Sequence, residues 1–128
     1  MKKYFVLIAM LMVTSCLQVG CAEVNAYTDS GQMISISVNQ EFFIALGSNR
    51  TTCYMWQENY DNDMIGLESI EYLLSDEAKQ KLAGAGGVEF FRFKALKKGE
   101  TEITMVYKRS WEEPSAQDLT KVFTITIE

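Results

Sequence analysis

The chain has 128 residues, 48% hydrophobic and 23% charged, with one proline and no low-complexity tract; this suits one globular domain and excludes a disordered chain or a repeat array. Its formal net charge of −5 at pH 7 argues against nucleic acid or an anionic membrane surface as the main partner. The absence of histidine removes Ser-His-Asp and Cys-His catalysis and every histidine-bound metal.

Lys2 and Lys3 precede an apolar run from Tyr4 to Val13. The run is too short to cross a bilayer stably but has the length of a signal-peptide core, so residues 1–22 are read as an export leader and 23–128 as the mature domain. Val13-Thr14-Ser15-Cys16 resembles a bacterial lipobox with Cys16 as the acylated residue. Cys21, after Gln18-Val19-Gly20, is a second candidate, and ordinary cleavage after Ala22 is a third. The expected location is the bacterial periplasm, the cell surface or the medium, with or without a lipid anchor. Loss of the leader takes away two lysines and no acids, moving the net charge from −5 to −7. The three cysteines form no disulfide framework: Cys21 and Cys53 could pair only if cleavage falls before Cys16, and otherwise Cys53 is a lone thiol.

In the mature region Ile34, Ile36 and Val38 alternate with polar residues, the period of a strand with one buried face. Phe42, Ile44 and Leu46 continue it after a turn at Asn39-Gln40, and Tyr54 and Trp56 alternate next. Leu67 to Leu82 is rich in helix formers with Ser75 as a plausible N-cap, and pattern alone reads it as a helix. Phe91, Phe93 and Ala95, then Ile103, Met105 and Tyr107 after a turn at Gly99, then Phe123, Ile125 and Ile127 complete the set. Short alternating strands with frequent turn signals predict an all-β sandwich or barrel. The acids Asp61, Asp63, Glu112 and Glu113 read as solvated surface, and Asp61-Asn62-Asp63 lacks the ligand count of a calcium loop. Neither a metal nor another cofactor is expected.

Three stretches at strand ends have unusual composition. They are Ser48-Asn49-Arg50-Thr51-Thr52-Cys53 running into Tyr54-Met55-Trp56, then Gly84-Ala85-Gly86-Gly87 running into Val88-Glu89-Phe90-Phe91-Arg92-Phe93, then Tyr107-Lys108-Arg109-Ser110-Trp111-Glu112. In order and spacing they resemble the chagasin-like inhibitors of papain-family cysteine proteases (peptidase inhibitor family I42). That family carries an Asn-Pro-Thr-Thr-Gly loop before Tyr-x-Trp, a Gly-x-Gly-Gly loop and an Arg-Pro-Trp/Phe loop.

The resemblance implies a strand over about Ile65 to Leu73 and a short helical turn from Ser75 to Leu82, where pattern alone reads a helix. It also implies an immunoglobulin-like antiparallel β-sandwich, not itself an enzyme, acting as a monomer. Its three loops would plug the protease cleft as a reversible, competitive inhibitor. The first loop, Asn49 to Cys53, would cover the catalytic cysteine and histidine of the protease. Gly84, Ala85, Gly86 and Gly87, with Arg109, Ser110 and Trp111, would clamp the two sides of the cleft. Thr51 and Thr52 would satisfy polar atoms buried on closure, while Gly86 and Gly87 would allow close approach and positive φ. Arg109 and Trp111 are residue types that dominate interface energetics.

Arg50, Cys53 and Ser110 depart from the pattern, standing where the family has proline, glycine and proline. Loss of both prolines predicts less preorganised loops, and a cysteine in place of glycine predicts strain if that position has positive φ. Asn49-Arg50-Thr51 is an N-glycosylation sequon, and a glycan there would block the inhibitory loop, so a bacterial or otherwise non-glycosylating source is expected, in agreement with the lipobox. The alternative reading is an exported immunoglobulin-like surface module that binds a non-protease protein or a glycan.

Overall fold

The computed structural model describes residues 25–76 and 86–128. Eight strands appear in chain order: β1 (Ala26–Tyr27), β2 (Met33–Ile36), β3 (Glu41–Ser48), β4 (Tyr54–Tyr60), β5 (Ile65–Leu74), β6 (Gly87–Ala95), β7 (Gly99–Arg109) and β8 (Leu119–Ile127). A single 3-10 turn, Arg50–Thr52, lies between β3 and β4. The expected strand over 65–73 is present, one residue longer than the sequence suggested. Residues 77–82 of the expected helical turn, the leader with Cys16 and Cys21, and Gly84 and Ala85 lie outside the described residues.

The strands form two four-stranded sheets, ordered β1-β3-β6-β5 and β2-β8-β7-β4. Within each sheet the long strands are antiparallel, whereas the edge strands β1 and β2 pair in parallel with β3 and β8. The alternation that betrays the strands also builds the core. Inward positions Phe42, Ile44 and Leu46 of β3, with Phe91, Phe93 and Ala95 of β6, face Ile103 and Met105 of β7 and Phe123, Ile125 and Ile127 of β8 in one cluster. Phe93 is its aromatic centre, stacked on Phe42 at 5.6 Å and Phe91 at 6.4 Å, with Tyr60 edge-on at 5.4 Å. This is the expected immunoglobulin-like sandwich.

The inward series of β6 starts with a charge. Residues 89, 91, 93 and 95 are all buried, and the first is Glu89. It stands opposite Leu46 in the β3 register, two pairs from where the strand pairing ends at Ser48 and Gly87. The turn before β3 is sharp because Asn39 takes φ 68°, the left-handed region that asparagine tolerates better than most residues. Gly99 at the start of β7 has φ 140°, and a Cβ there would lie 2.9 Å from Met64 Cε.

Candidate functional site

Register places three connections at one end of the sandwich. Ser48 at the end of β3 pairs with Gly87 at the start of β6, which also pairs with Leu74 at the end of β5. Tyr54 at the start of β4 pairs with Arg109 at the end of β7, and Tyr107 pairs with Leu119 at the start of β8. The strand ends at Ser48, Gly87 and Arg109 therefore lie at the same end of the molecule. Gly86, Gly87, Arg109, Ser110 and Trp111 join Asn49 to Cys53 there.

The first loop is a single 3-10 turn held from within. Asn49 is its N-cap: the carboxamide Oδ1 accepts from the Thr51 backbone N–H at 3.1 Å and from the Thr51 hydroxyl at 2.6 Å. The Thr52 hydroxyl donates to the Asn49 carbonyl at 2.7 Å, and the Cys53 N–H to the Arg50 carbonyl at 3.2 Å. Cys53 closes the turn at φ 65°, ψ 7°, where a Cβ is unfavourable. The strain expected from cysteine in the glycine position is thus real. Thr51, Thr52 and Cys53 are all exposed.

The base of this loop is anchored to the sandwich. The Asn49 N–H donates to the Tyr107 hydroxyl at 2.9 Å, and the Trp56 indole N–H donates to the Gly47 carbonyl at 2.9 Å. Trp56 is otherwise buried in the core, the reading that sequence alternation favoured. On the other side, buried Ser48 donates its hydroxyl to Glu89 Oε1 at 2.8 Å, and Arg50 Nε lies 3.3 Å from the same oxygen.

Gly86 and Gly87 have a physical reason that differs from the expected one. Neither takes positive φ. A Cβ on Gly86 would come within 2.6 Å of the Ser48 carbonyl, and one on Gly87 within 2.1 Å of the Leu73 carbonyl. The chain's own backbone demands these glycines, Gly86 by packing against the start of the first loop and Gly87 by packing against the end of β5.

The third loop turns on Arg109. Its Nη1 lies 3.2 Å from Glu112 Oε1, its Nε donates to the Thr52 carbonyl at 3.4 Å, and its guanidinium lies over the Tyr54 ring at 4.8 Å and the Trp111 ring at 6.0 Å. Buried Lys108 reaches under the loop to the Glu112 carbonyl at 2.5 Å. Trp111 is 68% exposed, an indole held out from the end of the molecule rather than packed in the core.

Sequence reasoning missed Glu89, Tyr72, Tyr107 and Lys108 as groups that hold the loops. Only Glu89 left a readable sign, a carboxylate in register with three inward apolar residues. Among the described residues no group of three or more carboxylate or thiol side chains is placed to hold a metal ion.

The sandwich thus carries, side by side at one end, a first loop braced by Asn49, Arg50 and Tyr107 and a third loop braced by Lys108, Arg109 and Glu112, with Gly86 packed against the first. Residues 35–127 match the chagasin family peptidase inhibitor I42, and the chain belongs to that family. It is similar to chagasin of Trypanosoma cruzi, with 30% identity over 92 residues covering 67% of this chain and 80% of the relative. The fold is shared with the cysteine protease inhibitor EhICP2 of Entamoeba histolytica, with a TM-score of 0.72 at 22% identity over 82% of this chain and 96% of that one. It is shared also with PbICP-C, solved in complex with falcipain-2, with a TM-score of 0.53 at 21% identity over 82% and 91% of the two chains.

Proposed function

We propose that the chain is a reversible, competitive inhibitor of papain-type cysteine proteases, seating its three-loop end in the active-site cleft. The observation that carries this reading is the union of exposure and internal bracing at that end. Thr51, Thr52 and Trp111 face solvent, while Asn49, Tyr107 and Arg109 fix the backbone that bears them. Bracing lowers the ordering cost of association, so the exposed groups deliver more of their contact energy. Thr51 and Thr52 lead over the protease's catalytic centre, with Gly84 to Gly87 on one side and Trp111 on the other. PbICP-C, a chain of the same fold, is seen with falcipain-2 bound, which supports a protease as the occupant.

The reading extends to location. Lys2, Lys3 and the apolar run to Val13 support export, and Cys16 or Cys21 is the acylation site if the leader is of the lipoprotein type. Radiolabelled palmitate incorporated by the full chain and lost in Cys16→Ser assigns the first; retention there and loss in Cys21→Ser assigns the second. No label in the full chain removes the anchor.

The direct test titrates papain with purified residues 23–128, with and without reductant. Tight inhibition relieved by excess substrate supports the reading. A folded sample that inhibits neither papain nor cathepsin-like enzymes overturns it and leaves a surface-binding module.

A further inference from the structure

We propose that Arg50 is a positioning residue: its ion pair with the buried Glu89 fixes the first loop in its inhibitory shape, in place of the ring constraint that a proline would supply. The inference rests on the protease-inhibitor reading for its consequence, and on the structure of the free protein for its mechanism.

The side chain of Arg50 turns back onto the sandwich. Its Nε lies 3.3 Å from Glu89 Oε1, and its guanidinium carbon sits 4.4 Å from the centre of the Tyr72 ring. Tyr72 in turn donates its hydroxyl to the Ser48 carbonyl at 3.3 Å, and the Ser48 hydroxyl donates to the same Glu89 oxygen. One arginine thereby ties the 3-10 turn to both β5 and β6. The Arg50 side chain is 42% exposed but that of Glu89 is only 2% exposed, so the carboxylate is desolvated and its interactions are weakly screened. A carboxylate in the inward series of β6 is costly unless paired, and the pair explains why one is there.

The backbone at Arg50 explains what is being replaced. Arg50 is the first residue of the turn, and Asn49 before it is extended at φ −124°, ψ 93°. The first helical position, preceded by an extended residue, is where proline fits best: its N–H is not needed by the turn and its φ is already set. Arginine there has no intrinsic constraint, so the same conformation must be imposed from outside. The Arg50–Glu89–Tyr72 arrangement imposes it.

The test compares Arg50→Ala, Glu89→Gln, the double variant Arg50→Ala/Glu89→Gln and the restoring variant Arg50→Pro/Glu89→Gln, each checked for folding by thermal melting. Glu89→Gln keeps an acceptor for the Ser48 hydroxyl, so the core end stays satisfied. Two readouts are taken. In the free protein, amide hydrogen exchange at Thr52 and Cys53 should speed up about tenfold in Arg50→Ala, as the loss of one charge-assisted hydrogen bond would give. On papain, Arg50→Ala and Glu89→Gln should each slow association about tenfold, and the double variant no further, because the competent loop becomes a minor population. Arg50→Pro/Glu89→Gln should recover both.

Unchanged exchange in Arg50→Ala overturns the proposal whether or not papain is inhibited. Additive losses in the double variant, or failure of the proline to recover association, would show instead that Arg50 touches the protease directly. Wild-type protein that leaves papain active refutes the inhibitor reading alone, and the exchange experiment still decides the role of Arg50.

Discussion

Thr52 and Arg109, 57 residues apart in the chain, are joined by a hydrogen bond from the arginine Nε to the threonine carbonyl. Through it the third loop supports the first from the side opposite Glu89. The same guanidinium also meets Glu112 and lies over the rings of Tyr54 and Trp111. Arg109→Ala should therefore weaken inhibition of papain by about tenfold or more, the scale of one charge-assisted hydrogen bond. Its Tm should fall by less than about 4 °C, because exposed ion pairs contribute little to stability. Arg109→Lys should fail to restore inhibition, since an ammonium cannot donate as a fork and stack together. Inhibition constants and melting curves of the two variants check this, and full activity of the lysine form would contradict it.

Trp111 has the opposite profile, a large side chain with little to hold it. Trp111→Ala should raise the inhibition constant by about thirtyfold, as truncation of an interface anchor does, with no change in Tm. Combined with Thr52→Ala it should abolish measurable binding to papain while circular dichroism stays that of the wild type.

Cys53 closes the first turn at φ 65°. Cys53→Gly should stabilise the domain by about 0.5–1 kcal/mol, the left-handed strain relieved less the greater chain entropy of glycine when unfolded. Cys53→Ser keeps the strain and should leave Tm unchanged. A denaturant melt of the three proteins decides it, and a less stable glycine variant would refute the strain argument.

Phe93 tests the core apart from the loops. It is fully buried between Phe42 and Phe91, so Phe93→Ala should cost about 3–5 kcal/mol, a large part of the stability of a domain this size. Inhibition should be lost here together with the near-ultraviolet circular dichroism, unlike the loss at Trp111.

The architecture was legible because apolar residues recur at every second position in β2, β3, β6, β7 and β8, and that period reports one buried face. β5 was legible as a strand only through the family resemblance: its Leu, Glu and Ile residues are common in helices, and pairing with β6 overrides that preference. The gathering of the loops at one end was expected only through the family resemblance, and what fixes the first and third could not be read at all. Tyr107 and Lys108 look like ordinary strand residues until β4 and β8 bring their polar ends under Asn49 and Glu112. The parallel edge strands were equally invisible, since period two is the same in either direction. The two missing prolines told of a lost constraint in the first and third loops, but the contacts those loops make instead, Arg50 with Glu89 and Lys108 and Arg109 with Glu112, left no sign in the pattern.

The parallel pairing of β2 with β8 carries a consequence for when the molecule can form. In the sheet order β2 has β8 as its hydrogen-bonded neighbour, and the paired residues, such as Ile34 and Ile125, are about ninety positions apart. Contacts at that separation are slow to close, because the loop entropy must be lost before they reward it. During synthesis β2 emerges early and waits, unpaired, until β8 has been translated. The second sheet therefore closes last: β4 and β7, and all four strands of the first sheet, are made before β8, but β2 gains its place only once the C-terminal strand arrives to bridge it to β7.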